Sequence, residues 1–235
     1  MKIFRFKQFD IQQNADVFQV GTDAVLLGAL ANVSEAKNVL EVGTGAGIIS
    51  LMVAQRNPET KILAIDINSE AVNIAQTNFI NSPFSDRIKS QLHDLKNFET
   101  EEKFDLIISN PPYFEINSSE KDILARQRLE LDFSDLIKKS SQLLSKNGLL
   151  SVIIPIYSEE EFTHICFDNN LFLQRKVIIK GIKTSEPKRL VLEYSLFVGS
   201  EPKVENFVIE KSPRVYSDEY LELTKDFHLF NKKPL

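Results

Sequence analysis

A single cysteine in 235 residues, Cys166, excludes an intramolecular disulfide. The three histidines are spread as His93, His164 and His228 and offer no zinc-ligand spacing. No apolar run approaches the ~18 residues needed to cross a bilayer, and the start, MKIFRFKQFD, has no apolar stretch leading to a small-residue cleavage site. These absences predict a cytoplasmic protein with no metal and no membrane partner. No repeat, low-complexity tract or Pro/Gly/Ser linker divides the chain. Residues 1–235 are therefore expected to form one domain: an N-terminal extension over 1–37, a core over 38–200 and a C-terminal segment over 201–235. Also missing is any Ser/His/Asp, Cys/His or HxxxH arrangement for nucleophilic or metal-assisted chemistry.

What is present is an ordinary globular composition, 43% hydrophobic and 26% charged, with a net charge of -5. That charge argues against non-specific coating of nucleic acid, but it conceals two basic stretches. Arg175, Lys176, Lys180, Lys183, Lys188 and Arg189 lie between Gln174 and Arg189 against Glu186 alone. Near the start, Lys2, Arg5 and Lys7 alternate with Phe4, Phe6 and Phe9, a pattern suited to base stacking plus phosphate contact, and equally to a solvated strand face over a core.

From residue 38 onward short apolar runs alternate with helical periodicity. Strands are predicted over 38–43, 61–67, 88–94, 103–109 and 149–155. Helices are predicted over 47–57, over 69–80 with Ser69 as N-cap, and over 132–148 closed by Gly148. The charged stretch 97–103 reads as an exposed loop or short helix. A further helix over 158–170 leads into two β-rich runs, 171–181 and 189–199, that read as an antiparallel pair. A hairpin near 203–209 and a helix over 217–227 complete the chain. Strands separated by helices of this length imply a Rossmann-like, doubly wound, mostly parallel α/β sheet with an antiparallel C-terminal pair.

The best-defined turn is LEVGTGAGIIS, where Gly43, Gly45 and Gly47 link the first strand of the core to its first helix. Such a turn lets backbone N–H groups approach a ligand closely. Spacing alone leaves a nucleotide site and a tight packing turn as rivals. The pattern is GxGxG, not the GxGxxG of dinucleotide binding, and Glu41 just before it would repel a pyrophosphate. A ligand carrying positive charge fits better. Asp66, at the end of the second strand, can accept from both hydroxyls of a ribose, and Asp94, at the end of the third, from an exocyclic amine. Each taken alone also reads as a loop or capping carboxylate. The fourth strand ends in ISNPPYF, where Pro111 and Pro112 forbid further sheet hydrogen bonding.

Taken together, EVGTGAG, Asp66, Asp94 and NPPY resemble a class I S-adenosylmethionine-dependent methyltransferase over roughly 38–155, in the branch that methylates planar nitrogens. VFQVGTDAVLLGALA (17–31), ISNPPYF and LARQRLELDFSDLI (124–137) extend the resemblance, over nearly the whole chain, to the bacterial tRNA1(Val) adenine-N6 methyltransferases, which modify the adenosine at position 37. This resemblance implies S-adenosyl-L-methionine as cofactor, bound by Glu41, Gly43, Gly45, Gly47, Asp66, Asp94 and Asn110. It also implies that Thr22 and Asp23 lie near the cofactor's methionine end, though both fit a helix N-cap box as well. Asn110, Pro111, Pro112 and Tyr113 become the catalytic group: the Asn110 side-chain and Pro111 backbone carbonyls as acceptors for the two amine N–H groups, Pro112 as stiffener, and Tyr113, with Phe114, as a stacking surface. The implied partner is the tRNA anticodon arm, gripped through Lys and Arg of 174–189 and 1–9. Three alternatives share parts of this pattern: a release-factor glutamine methyltransferase, a ribosomal RNA or DNA amine methyltransferase, and a catalytically silent protein of the same fold.

Overall fold

Alternating burial along the apolar runs builds the molecule, and the computed structural model describes residues 2–14, 20–112 and 132–229. The chain opens with a separate two-stranded antiparallel sheet, β1 (Lys2–Arg5) and β2 (Asp10–Gln13), followed by α1 (Thr22–Leu30). Then come β3 (Asn38–Val42), α2 (Ile48–Arg56), β4 (Lys61–Asp66), α3 (Ser69–Ile80), β5 (Ile88–Leu92) and β6 (Phe104–Ser109). After the undescribed residues follow α4 (Phe133–Leu143), β7 (Leu144–Pro155), α5 (Glu159–Asp168), β8 (Phe172–Ile182) and β9 (Pro187–Ser195). β10 (Lys203–Ser212), β11 (Val215–Tyr216) and α6 (Asp218–Thr224) end the described chain.

One nine-stranded sheet runs β11-β10-β8-β9-β7-β6-β3-β4-β5. Strands β5, β4, β3, β6 and β7 are mutually parallel, and β9 is antiparallel to both β7 and β8. The period-two alternation of a strand sends neighbouring residues to opposite faces. Thus Val39, Leu106, Ile108 and Ile153 join buried residues of α1, α2 and α3. Leu40, Val42, Ile107, Val152 and Ile154 join Leu136 and Ile137 of α4 and Phe162 of α5 on the other face. Both faces are covered, which is why the central strands are mostly apolar.

The structure departs from the sequence-based expectations in several places. The N-cap of α3 is Asn68, not Ser69: its side chain accepts from the Glu70 and Ala71 amides. The helix predicted over 132–148 stops at Leu143, because Leu144 pairs with Phe104 and the chain is already strand. Gly148 lies inside β7 at a bulge, where a Cβ would stand 2.6 Å from the Phe104 carbonyl oxygen; it is a close-approach glycine and not a helix stop. The antiparallel pair β8–β9 is present, but β10 adds to β8 in parallel and turns back only to the short β11. The 217–227 helix is confined to Asp218–Thr224, and 97–103 contributes only the end of a 3-10 turn at Leu95–Asn97.

If Asn68 is the cap, Asn68→Ala should lower stability by about 1 kcal/mol while Ser69→Ala stays within a few tenths. Urea unfolding of the two variants measures the difference.

Candidate active site

The parallel strands diverge at β3, whose neighbours are β4 on one side and β6 on the other. Open α/β sheets bind ligands in the crevice at the C-terminal end of such a switch point. There Gly43, Gly45 and Gly47 take φ of +75°, +54° and +82°, a conformation other residues enter at a penalty. Gly47 is required twice over, since a Cβ on it would meet Phe79 Cε1 at 2.4 Å. Gly43 and Gly45 have no atom within 4 Å of an added Cβ, so their side of the turn is open.

Glu41 is wholly buried beneath this turn. Its Oε2 accepts from Thr44 Oγ1 at 2.8 Å, from the Ser50 amide at 3.2 Å and from the Ser50 hydroxyl. One carboxylate oxygen thereby ties β3 to the turn and to the first turn of α2. The other oxygen, Oε1, is buried with no hydrogen-bond partner. Burial lifts the carboxyl from 4.5 to about 7, opposed by the Ser50 and Thr44 bonds and reinforced by the charge of Asp66.

Asp66 closes the turn from β4: its Oδ2 accepts from the Gly45 amide at 2.9 Å and its Oδ1 from the Asn68 amide at 2.9 Å. Asp94 caps the short 3-10 turn, accepting from the Lys96 amide at 2.9 Å. It stands next to His93, whose amide donates to the Asp66 carbonyl at 3.0 Å. Both carboxylates have the local bonds of loop acids and both lie at the crevice edge.

In the β3–β6 register Val42 is opposite Ser109, and the Ser109 hydroxyl donates to the Val42 carbonyl at 2.9 Å. Asn110 is therefore the next residue on β6 just as Gly43 is the next on β3. Asn110 Oδ1 is buried and has no hydrogen-bond partner. Pro111 is buried and Pro112 half-buried; Tyr113 and Phe114 lie outside the described residues. Sequence reasoning missed Thr44, Ser50 and Ser109, which hold the site's carboxylate and strand ends, because isolated hydroxyls carry no pattern. It also missed Asn78. Buried in α3, Asn78 donates to the Ala46 carbonyl at 2.9 Å and exchanges bonds with the Gln12 backbone, pinning β2 to the glycine turn.

The basic stretches divide differently from the expectation. Phe6 and Phe9 are buried against one another, with ring centroids 4.7 Å apart, and Phe6 also stacks on His228. They are core, while Lys2, Arg5 and Lys7 are exposed together with Ile3 and Gln8, and Phe4 is half-buried. Within 174–189, Arg175 pairs with Glu193 and Glu205, Lys176 with Glu159, and Arg189 with Asp23. Lys183, on the turn between β8 and β9, and Lys188, at the start of β9, are exposed. Because Arg189 pairs with Pro155, the last residue of β7, this turn stands at the same sheet edge as Asn110. Thr22 is exposed at the start of α1, and Asp23 faces Arg189. Among the described residues no cluster of His, Cys, Asp and Glu could hold a metal ion, and no helix is long and apolar enough to cross a membrane.

Comparison with known proteins adds one family match, two relatives and two solved structures. Residues 13–166 match the methyltransferase small domain family. The chain is 54% identical over 230 residues to a tRNA1(Val) (adenine(37)-N6)-methyltransferase of Flavobacteriaceae bacterium (strain 3519-10), covering 98% of this chain and 100% of that one. A protein of the same description from Phocaeicola vulgatus is 42% identical, over 96% and 97% of the two chains. Among solved structures, a predicted O-methyltransferase of Agrobacterium tumefaciens superposes with a TM-score of 0.68 at 20% identity, over 87% of this chain and 96% of that one. A ribosomal protein L11 methylase of Lactobacillus delbrueckii subsp. bulgaricus gives 0.54 at 21% identity, over 76% and 81%. These last two likenesses establish the fold, a class I methyltransferase sheet.

The raised carboxyl of Glu41 has a consequence for stability. The folded chain holds this proton more tightly than the unfolded one, so the group favours folding at low pH and that contribution is lost as pH rises from 4.5 through 7. The loss is on the order of 3 kcal/mol. Glu41→Gln should flatten this part of the profile, read as a smaller difference between thermal unfolding at pH 5 and at pH 8.

Proposed function

The chain belongs to the tRNA1(Val) (adenine(37)-N6)-methyltransferase family, and from that premise we propose that Asn110 and Pro111 hold the N6 amine of adenosine 37 in tRNA1(Val) for methylation. The methyl donor is S-adenosylmethionine, which when bound supplies an electrophilic methyl group on a positively charged sulfur. The crevice suits such a ligand: an open glycine turn at Gly43 and Gly45, and a buried carboxylate oxygen on Glu41 lacking a donor. Asp66 would accept from the ribose hydroxyls, Asp94 would face the adenine, and Thr22 and Asp23 would lie toward the methionine end.

The observation that carries the proposal is the orphan Asn110 Oδ1. A buried carbonyl without a donor costs about 1–3 kcal/mol, a penalty that an incoming N–H group offsets. The adenine amine is a poor nucleophile because its lone pair is delocalised into the ring. Acceptors aimed at both of its N–H groups draw it toward a pyramidal geometry and fix its direction of attack. In this reading Asn110 Oδ1 and the Pro111 carbonyl, at a strand end, serve as acceptors set in place before positive charge develops on nitrogen. With an electrophilic methyl already supplied, the protein needs no nucleophile of its own, and the proton is lost after transfer.

Lys183 on the turn before β9 and Lys188 at the start of β9 support an RNA grip beside the crevice. An anticodon-loop base is largely unpaired and is turned out at less expense than a base in a duplex. We take residues 1–235 as one cytoplasmic domain working in this way.

Labelled-methyl transfer to tRNA from a strain lacking the gene, followed by nucleoside analysis, tests the reading. N6-methyladenosine should appear in one valine tRNA. Asn110→Ala should cut the rate about 10²-fold or more with S-adenosylhomocysteine binding retained; transfer to a different substrate would overturn the assignment. The double variant Lys183→Glu, Lys188→Glu should weaken RNA binding and lower the slope of log affinity against log salt by about 2.

A further inference from the structure

One ion pair links the crevice to the basic turn. Arg189 Nε donates to Asp23 Oδ2 at 2.9 Å, with side-chain exposures of only 26% and 21%. Arg189 also donates through a terminal nitrogen to the Lys188 carbonyl at 3.1 Å, so the guanidinium is held against its own strand. It lies near the start of β9 opposite Pro155 of β7, the strand paired with β6, after which Asn110 follows.

Asp23 belongs to the first turn of α1, whose N-cap makes no side-chain capping bond. Its N-cap is Gly21, which has no side chain to accept from the free amides. The buried face of α1 packs it into the core, and at this end side-chain bonds from outside the helix add to that packing. Among the described residues these include the Val20 amide donating to Gln13 Oε1 at 2.8 Å and the pair Asp23–Arg189. An acidic residue in the first helical turn is favoured by the helix dipole. A guanidinium fixed on a strand end gives it a defined direction that a flexible ammonium would not.

We infer that Arg189 is a positioning residue acting through Asp23: it holds the first turn of α1 at the catalytic edge for the methionine end of the cofactor, and it takes no RNA phosphate. The inference rests on the cofactor reading of Thr22 and Asp23 given above, and it removes Arg189 from the RNA-gripping set while leaving Lys183 and Lys188 there.

The test measures S-adenosylhomocysteine affinity by calorimetry in the absence of RNA, for the full chain and for Arg189→Ala, Arg189→Lys, Asp23→Asn and the double variant Asp23→Asn, Arg189→Ala. Arg189→Ala should weaken binding about tenfold and Arg189→Lys should recover part of the loss. In the Asp23→Asn background Arg189→Ala should add less than about twofold, because the two residues act as one unit. RNA affinity of Arg189→Ala should keep the wild-type salt slope. Thermal unfolding checks that each variant is folded; if Arg189→Ala is not, the Arg189→Lys variant carries the cycle. Additive effects of the two substitutions, or unchanged cofactor affinity with a salt slope reduced by about 1, would overturn the inference. A wild-type chain that binds no S-adenosylhomocysteine would remove the cofactor reading itself and the inference with it.

Discussion

The buried carboxylate of Glu41 is the constraint around which the crevice is assembled. A single oxygen gathers the Thr44 hydroxyl, the Ser50 hydroxyl and the Ser50 amide, so strand β3, the glycine turn and the start of α2 move as one body. Asp66 then fastens the same turn from β4 through the Gly45 amide, and Asn78 from α3 through the Ala46 carbonyl. A turn of three left-handed glycines would otherwise be the loosest part of the fold. Held from three sides, it keeps its open face toward a ligand without a ligand being needed to shape it.

Sheet register does the remaining work of assembly. Parallel pairing of β3 with β6, reinforced by the Ser109 hydroxyl on the Val42 carbonyl, brings the glycine turn and Asn110 side by side although 67 residues separate Ser109 from Val42. The antiparallel return of β9 against β7 brings the basic turn to the same edge. The glycine turn, Asn110 and the exposed lysines thus share one edge because of strand order alone. Of the six orphan buried side-chain oxygens among the described residues, two, Glu41 Oε1 and Asn110 Oδ1, lie on β3 and directly after β6, adjoining strands at the crevice; buried groups left unsatisfied are energetically costly.

Charge behaves in the opposite way, being legible as composition and misleading as function. Six cations between Gln174 and Arg189 suggest a continuous grip. Arg175 instead serves the buried Glu193 together with Glu205, Lys176 meets Glu159, and Arg189 meets Asp23. Glu193, 2% exposed, accepts from the Asn32 amide and needs a cation nearby. The aromatic residues of the first nine positions follow the same rule: Phe6 and Phe9 pack with Phe84 and His228, forming a joint between the two ends of the chain and not a platform for bases.

Periodicity and turn chemistry, which are local, placed the strands of the core, most of the helices, the glycine turn and the strand ending at Asn-Pro-Pro, because each depends on residues within a few positions of one another. Local signals also failed locally. Asn68 and Ser69 are both good caps, and only the backbone angle at the start of α3 chooses between them. Gly148 after Asn147 imitates a helix stop, yet pairing of Leu144 with Phe104 claims that stretch for a strand. By itself the sequence determined the fold class, the place of the glycine turn after β3 and the Asn-Pro-Pro end of β6. Only the tertiary structure decided which cations face solvent, which carboxylates are shared, and that Asp23 belongs to Arg189, since an ion pair across 166 residues is created by strand order and leaves no trace in sequence spacing.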